Sequence, residues 1–377
     1  MKLVSHSTPR LFGLAKAIPL LVISHAMALV SCGRIGYESF DARQGTSSAS
    51  NSDINCAGDT ASEEDDAGTA TEADTGDDSI PRNGCQMVDF LFVIDNSVSM
   101  QDQQAALIAS FPGFISTIQA TLSAKSDYHV MVVDTDATGR CTAQTCKDLS
   151  SPCRKNDANF DEYICNHIKE FTPCDKSWGA GVIHPAGSSA SNQLCEIMGG
   201  NRYILGDDPK KEAAFSCVAQ VGLSGHQDER PMDAMVAAVS DKRNGAGGCN
   251  EGFIREDAIL VVTFITDDPK TADLAPDPDW DKELGPSDSV ADWYSALLKA
   301  KNDNADAIVV LGLIPVGKNS AGEDCSKDGS GEHWVKFIDR FGDRGLQGAV
   351  CEEQYVSFFE QAVAVIDDTC DDFAPIK

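Results

Sequence analysis

The chain is poor in positive charge, in regularly spaced cysteine pairs and in long apolar runs, and each deficit removes a class of function. Lys and Arg number 30 against 59 Asp and Glu, a formal net charge of −29 over 377 residues. A nucleic-acid partner requires clustered Lys and Arg to displace counterions from its phosphates, and no such cluster occurs. The acidity also disfavours an anionic lipid surface and suits the attraction of cations. The cysteines lack Cys-x-x-Cys pairs, which argues against a structural zinc site. No Gly-x-Ser-x-Gly elbow is present; Gly222-Leu223-Ser224-Gly225 brings its second glycine one place early. His129, His167, His184, His226 and His333 are scattered, and none is assigned to catalysis. The apolar stretch at 17–30 is broken by Pro19 and His25 and is too short to span a bilayer. No internal repeat is visible.

That stretch has the anatomy of a targeting segment. Lys2, Arg10 and Lys16 precede it, and it ends Leu29-Val30-Ser31-Cys32, small residues followed by a thiol. The arrangement resembles the lipobox of bacterial lipoproteins. The resemblance implies a signal peptide at 1–31, acylation of Cys32 and attachment to the outer membrane, on its periplasmic or cell-surface face. The alternative is an ordinary secretory signal with a chance cysteine. Residues 33–80 are low in complexity, with Ser47-Ser48-Ala49-Ser50 and Glu63-Glu64-Asp65-Asp66 typical. They cannot bury enough apolar surface to offset their ordering entropy. Residues 32–84 are therefore expected to be a lipidated, acidic, disordered tether.

Fourteen cysteines in an exported chain imply a disulfide framework. Setting Cys32 aside leaves thirteen, and Cys56, in the tether, is the expected unpaired thiol. The twelve from Cys85 to Cys370 suffice for six bridges whose pairing spacing does not fix. A bridge between Cys85 and Cys370 would join the ends of the folded region.

Residues 85–372 read as one α/β domain. Runs at 88–94, 259–265 and 307–314, with a shorter one at 129–133, are nearly continuous in Val, Ile, Leu and Phe. Such runs suit strands covered on both faces. Between them lie stripes at helical spacing: Ile108, Phe111, Ile115, Ile118 and Leu122, with Pro112 expected to kink the helix; Met232, Met235, Val236 and Val239; Val290, Trp293, Tyr294, Leu297 and Leu298; and Tyr355, Phe358, Phe359, Ala362, Val363 and Ile366. The alternation predicts an open, mostly parallel, doubly wound sheet flanked by helices. Residues 137–201 break the pattern with six cysteines and are expected to be a disulfide-rich insertion near an edge of the sheet. Residues 203–205 are expected to form a short edge strand after it.

The first strand ends in Asp95-Asn96-Ser97-Val98-Ser99, and the 259–265 strand ends in Thr266-Asp267-Asp268. In an open α/β sheet ligands bind beyond the carboxyl ends of strands. One carboxylate and two hydroxyls at alternate positions of a turn can converge on one point. Hard oxygens with few carboxylates suit Mg²⁺ or Ca²⁺. The alternative is that Asp95 and its serines only cap the next helix. With their strands, these residues resemble the von Willebrand factor A domain and its metal-ion-dependent adhesion site. The resemblance covers roughly residues 86–369 outside the insertion. It implies Mg²⁺ (or Ca²⁺ or Mn²⁺) held by Asp95, Ser97 and Ser99, with Asp267 acting directly or through one water. It also implies a hydroxyl from an intervening loop that ligates when a partner is bound, here matched to Ser224. Asp268 stands where the family often has glycine. The expected activity is capture of a protein or other acidic ligand, without enzymatic turnover.

Asp134-Thr135-Asp136 resembles the nucleophile motif of haloacid-dehalogenase-type phosphohydrolases, which implies Asp134 as nucleophile, Asp136 as acid/base and a bridging Mg²⁺. That motif should close the first strand of its fold, and here a strand and helix precede it. A structural envelope protein with an unused metal site is the third possibility. Asp157-Ala158-Asn159-Phe160-Asp161 lacks the glycine and glutamate of an EF-hand loop. The acidic residues Asp277, Asp279, Asp281 and Glu283 read as a solvated loop.

Overall fold

The computed structural model describes residues 87–121, 127–135, 144–147, 165, 169–225, 230–268, 289–326 and 331–373, all within the unit Thr75–Lys377. The expected signal peptide, Cys32, the tether, Cys56 and Cys85 lie outside the described residues. So do Leu122, Asp136, Cys141, Cys153, residues 157–161 and the acidic loop 277–283.

The apolar runs form strands because each is buried along its whole length. Strand β1 is Met87–Ile94, β2 Asp127–Asp134, β3 Ile204–Leu205, β4 Ile259–Ile265, β5 Ile308–Ile314 and β6 Gly345–Ala349. All seven residues of β4 and of β5 are buried. The sheet order is β3-β2-β1-β4-β5-β6. Every pairing is parallel except that of β3 on β2. Strand β2 follows β1 on one side and β5 follows β4 on the other, so the switch point of the strand order falls between β1 and β4. That opens a crevice at their carboxyl ends.

Helices cover both faces: α1 Gln101–Thr121, α2 Lys211–Ala219, α3 Pro231–Val239, the short α4 Asp241–Asn244, α5 Val290–Ala300, α6 Glu332–Ile338 and α7 Val356–Asp372. Alternate side chains of each strand serve opposite faces. Phe90, Phe92 and Ile94 meet Phe111 and Phe114 of α1, Phe215 of α2 and Phe359 of α7. Leu91, Val93, Val262 and Phe264 meet Met232 and Met235 of α3, Trp293 of α5 and Trp334 of α6. The aromatic rings supply much of the buried area and pack edge to face, as for Phe90 and Phe114 at 5.5 Å.

Several expectations are refined. The buried stripe of α1 runs through Leu107, Phe111, Phe114, Ile115 and Ile118, whereas Ile108 is only half-buried. The helix passes without interruption through Pro112, whose side chain is exposed. The expected edge strand at 203–205 forms as β3. Strand β6 was not anticipated. Its sequence, Gly-Leu-Gln-Gly-Ala, lacks β-branched residues and carries two glycines because the backbone is crowded there. A Cβ at Gly345 would lie 2.4 Å from the Ile338 carbonyl oxygen, and one at Gly348 2.5 Å from the Phe358 ring.

The cysteine-rich insertion is not a self-contained knot. Of the three described bridges that involve it, Cys146–Cys165 is internal, while Cys174–Cys249 and Cys195–Cys217 lead out of it. Its later part lies on the outer edge of β2, where the Val182 N–H donates to the Val132 carbonyl at 2.7 Å. Buried Asn250 holds it from the other side, donating to the Gly179 carbonyl (2.9 Å) and accepting from the Gly181 N–H (2.9 Å). A fourth bridge, Cys325–Cys351, ties the loop after β5 to the end of β6. Cys370 is also disulfide-bonded.

The amino-terminal end of β1 carries the wholly buried Asp89. Arg255 neutralises it, with its backbone N–H on one oxygen (2.7 Å) and its Nε on the other (2.8 Å), and reaches on to Asp127 (2.7 Å). With its proton on Nδ1, His129 donates to the Phe253 carbonyl at 3.1 Å. Burial outweighs the Arg255 charge and raises the Asp89 carboxyl from 3.8 to about 6. A folded-state value above the unfolded one means that this group's contribution to stability is complete below about pH 4 and is lost as pH rises through about 6. Without Arg255 only the weaker charge of Lys301 opposes the burial, and the carboxyl rises further. Arg255→Leu is expected to cost about 3–5 kcal/mol at neutral pH, the usual consequence of orphaning a buried charge. Near about pH 4, where Asp89 is protonated, the loss should shrink. Urea unfolding at the two pH values measures this, and equal losses at both would show that the ion pair is not what Arg255 supplies.

Candidate metal centre

The crevice side of β1 is built from its last residues outward. The Asp95 N–H donates to the Ile265 carbonyl at 3.0 Å, extending the β1–β4 ladder by one bond. The chain then turns, and the Ser97 N–H folds back onto Asp95 Oδ1 at 2.8 Å. Ser97 caps the one-turn helix Val98–Met100 that leads into α1, but its side chain makes no capping hydrogen bond. Its hydroxyl points instead to Ser99 Oγ, 3.1 Å away. Ser99 Oγ donates to Asp267 Oδ1 at 3.0 Å, across 168 residues of sequence. Four of the five expected site residues are thereby brought into one chain of contacts.

Asp95 is completely buried and Ser97 nearly so, whereas Ser99 is exposed and Asp267 half-buried. The cluster thus has a closed floor and an open lip. Burial, and then the charge of Asp95, raise the Asp267 carboxyl from 3.8 to about 6; the Ser99 hydroxyl opposes this and the Asp268 charge adds to it. Among the described residues no Lys, Arg or His forms an ion pair with Asp95 or Asp267. Two acids crowded together without a counter-ion favour a cation.

The donor set fits a hard divalent ion. At Mg–O distances of about 2.0–2.1 Å, neighbouring ligand oxygens of an octahedron lie about 2.9–3.0 Å apart. The Ser97–Ser99 and Ser99–Asp267 oxygen separations of 3.1 and 3.0 Å match such edges. The same separations serve as hydrogen bonds in a ring without an ion. No group of three or more His, Cys, Asp and Glu among the described residues is placed to hold a metal; half of this set is serine.

Ser224 lies on the adjoining loop. The next residue, Gly225, donates its N–H to the Asn96 carbonyl at 2.9 Å, so the loop runs against the Asp95–Ser99 turn. Ser224 is buried, and its hydroxyl accepts the Ser188 N–H at 2.7 Å. Asp134 closes β2, in register with Ile94, and lines a separate cavity with Cys174, His184 and Arg202. Strand β1 stands between it and Asp267, two strand spacings or about 10 Å.

Three supporting residues were not anticipated. Thr266 Oγ1 donates to Asp95 Oδ2 at 2.8 Å and accepts the Asp268 N–H at 3.1 Å. Asn96 is buried and accepts from Thr135 Oγ1 at 3.1 Å. Gln104 on α1 donates to the carbonyls of Asp95 (3.0 Å) and Gly222 (2.9 Å) and accepts the Gly222 N–H (3.2 Å). Its signal in the sequence was a polar residue on an otherwise apolar helix face. No known protein-family model matches the chain, and no curated protein matches it.

Gln104→Leu keeps the volume and leaves three main-chain groups without their partner. At about 1–3 kcal/mol for each buried group left unpaired, the loss should exceed about 2 kcal/mol in chemical denaturation. A cost below about 1 kcal/mol would mean that Gln104 does not hold the loop to the turn.

Proposed function

We propose that this chain is a binding module resembling a von Willebrand factor A domain, which captures an acidic partner through one divalent cation. Asp95, Ser97, Ser99 and Asp267 hold the ion, Mg²⁺ in the first instance, and Ser224 joins when a partner is bound. Anchorage through Cys32 places the module on a tether at the bacterial outer membrane. A protein carrying an exposed Asp or Glu is the expected partner.

The observation that carries this proposal is a contrast within β1. Both ends of the strand bear a wholly buried aspartate. Asp89 is given an arginine, whereas among the described residues the partners of the Asp95 carboxylate are a backbone N–H and a hydroxyl. Burying a carboxylate costs several kcal/mol unless charge compensates it, and at Asp95 the compensating charge is left to come from outside. The strand order, with the crevice falling between β1 and β4, supports the family assignment.

In this scheme Asp95 fixes the floor of the site, and Thr266 and the Ser97 N–H orient its carboxylate. Ser97 and Ser99 fill positions with neutral oxygens where carboxylates would over-neutralise the ion. The ion supplies an electrophilic position for an incoming carboxylate oxygen. Exposed Ser99 and half-buried Asp267 border the side open to that ligand.

The test is a Mg²⁺ titration in acetate buffer, acetate standing in for the partner's carboxylate, followed by calorimetry and thermal melting. The parent should gain about 2.7 kcal/mol when Mg²⁺ reaches 100 times its dissociation constant. EDTA should remove the gain, Asp95→Ala should abolish it, and Ser99→Ala, at an exposed position, should weaken it without unfolding the protein. A parent indifferent to Mg²⁺ would mark a structural protein with an unused site. Steady release of phosphate from phosphomonoesters, lost on Asp134→Asn, would replace binding with phosphohydrolysis.

A further inference from the structure

We infer that residues 187–195 of the cysteine-rich insertion are the positioning element of the metal site, a brace that holds the Ser224 loop against the Asp95 turn and is anchored by the Cys195–Cys217 bridge. This role rests on the metal-binding proposal above and assigns a task to the insertion.

The brace is a short ladder of main-chain bonds between two loops. The Leu223 N–H donates to the Ser188 carbonyl at 2.7 Å, and the Ser191 N–H donates to the Gln220 carbonyl at 3.0 Å. Gln220 Nε2 returns to the Ser189 carbonyl at 2.9 Å. Between them the Ser188 N–H reaches the Ser224 hydroxyl itself, at 2.7 Å. This bond fixes the position of Ser224 Oγ.

The fit is close enough to require glycine on both loops. Gly222 has φ +90, and a Cβ there would lie 2.8 Å from the Ser188 carbonyl oxygen and 2.7 Å from Ala190 Cβ. Gly187 has φ +139, and a Cβ there would lie 2.6 Å from Ser224 Oγ. On the far side, a Cβ at Gly225 would lie 2.3 Å from Asn96 Oδ1. The Ser224 loop is therefore pressed between the insertion and the metal turn. Cys195 joins the insertion to Cys217 of α2, the helix that leads directly into that loop. The Cys195 N–H bonds the Ile183 carbonyl at 2.8 Å, and Val182 bonds β2, so the anchor reaches the sheet.

The test uses the purified full chain and four variants: Asp95→Ala, Ser224→Ala, the pair Cys195→Ser with Cys217→Ser, and the last two combined. Loss of the bridge should raise amide exchange at Leu223 and Ser191 by about tenfold or more, while the core strands stay protected. Mg²⁺ affinity in acetate buffer should fall about tenfold, the usual effect of removing a residue that orients a ligand. Ser224→Ala should show a similar fall, and the combined variant should be no weaker than either, because both act through one hydroxyl. Losses that multiply, or exchange that does not change, would overturn the brace. If the bridge-free protein does not fold, Gly187→Ala replaces it, since its methyl presses directly on Ser224; parent-like Mg²⁺ affinity in that variant overturns the proposal equally. Absence of any Asp95-dependent Mg²⁺ binding would overturn the metal centre and with it this role, whereas Asp95-dependent binding with an indifferent bridge overturns this role alone.

Discussion

A carboxylate sits out of reach of water at the end of the central strand, and the neighbourhood is arranged around it. Asp95 is wholly buried, with Ser97 N–H on one oxygen and Thr266 on the other. Its own main chain is engaged on both sides, the N–H by β4 and the carbonyl by Gln104. Hydrogen bonds to a charged group contribute about 1.5–3 kcal/mol each, which offsets only part of the desolvation. Among the described residues no Lys, Arg or His pairs with this carboxylate, which makes the centre a candidate for a cation. The open lip made by Ser99 and Asp267 is where it can enter.

The sheet order explains why these groups meet. Strands β1 and β4 are neighbours at the switch point of the strand order, where open α/β sheets place a crevice at the carboxyl ends. Asp95 lies one residue past the end of β1 and Asp267 two residues past the paired end of β4. The third wall comes from elsewhere in the chain. The Ser224 loop is drawn in by Gln104 and Asn96 from one side and pressed by the insertion from the other. Val221 and Leu223 of this loop join the hydrophobic core, and main-chain bonds fix the residues between and beside them.

Much of this was legible in the sequence, and the limits have physical causes. Strands β1, β4 and β5 announced themselves because strands buried on both faces need unbroken apolar runs. Asp95, Ser97 and Ser99 were legible together because one turn joins them. Asp267 could be placed only by assuming that its strand lay beside β1, since its contact with Ser99 spans 168 residues. Thr266 looked like an ordinary strand residue; its hydroxyl matters only through the carboxylate opposite. Strand β6 was hidden because the crowding that shapes it selects glycine, the residue that weakens a strand pattern. Cysteine spacing carries no pairing information, so the crossing of two of the insertion's bridges into the body of the domain is visible only in the structure.

Those crossings give the molecule a covalent topology as well as a shape. The Cys174–Cys249 bridge closes a ring 75 residues apart in sequence, and β3, α2, α3, α4 and Ser224 all lie inside it. A protease that cuts once anywhere within that ring, at residues 226–229 for instance, produces two ends but no separate fragment. The wall of the site stays tethered to the sheet through sulfur. Under conditions that leave the bridge oxidised, a single nick within the ring becomes an event the folded domain can survive.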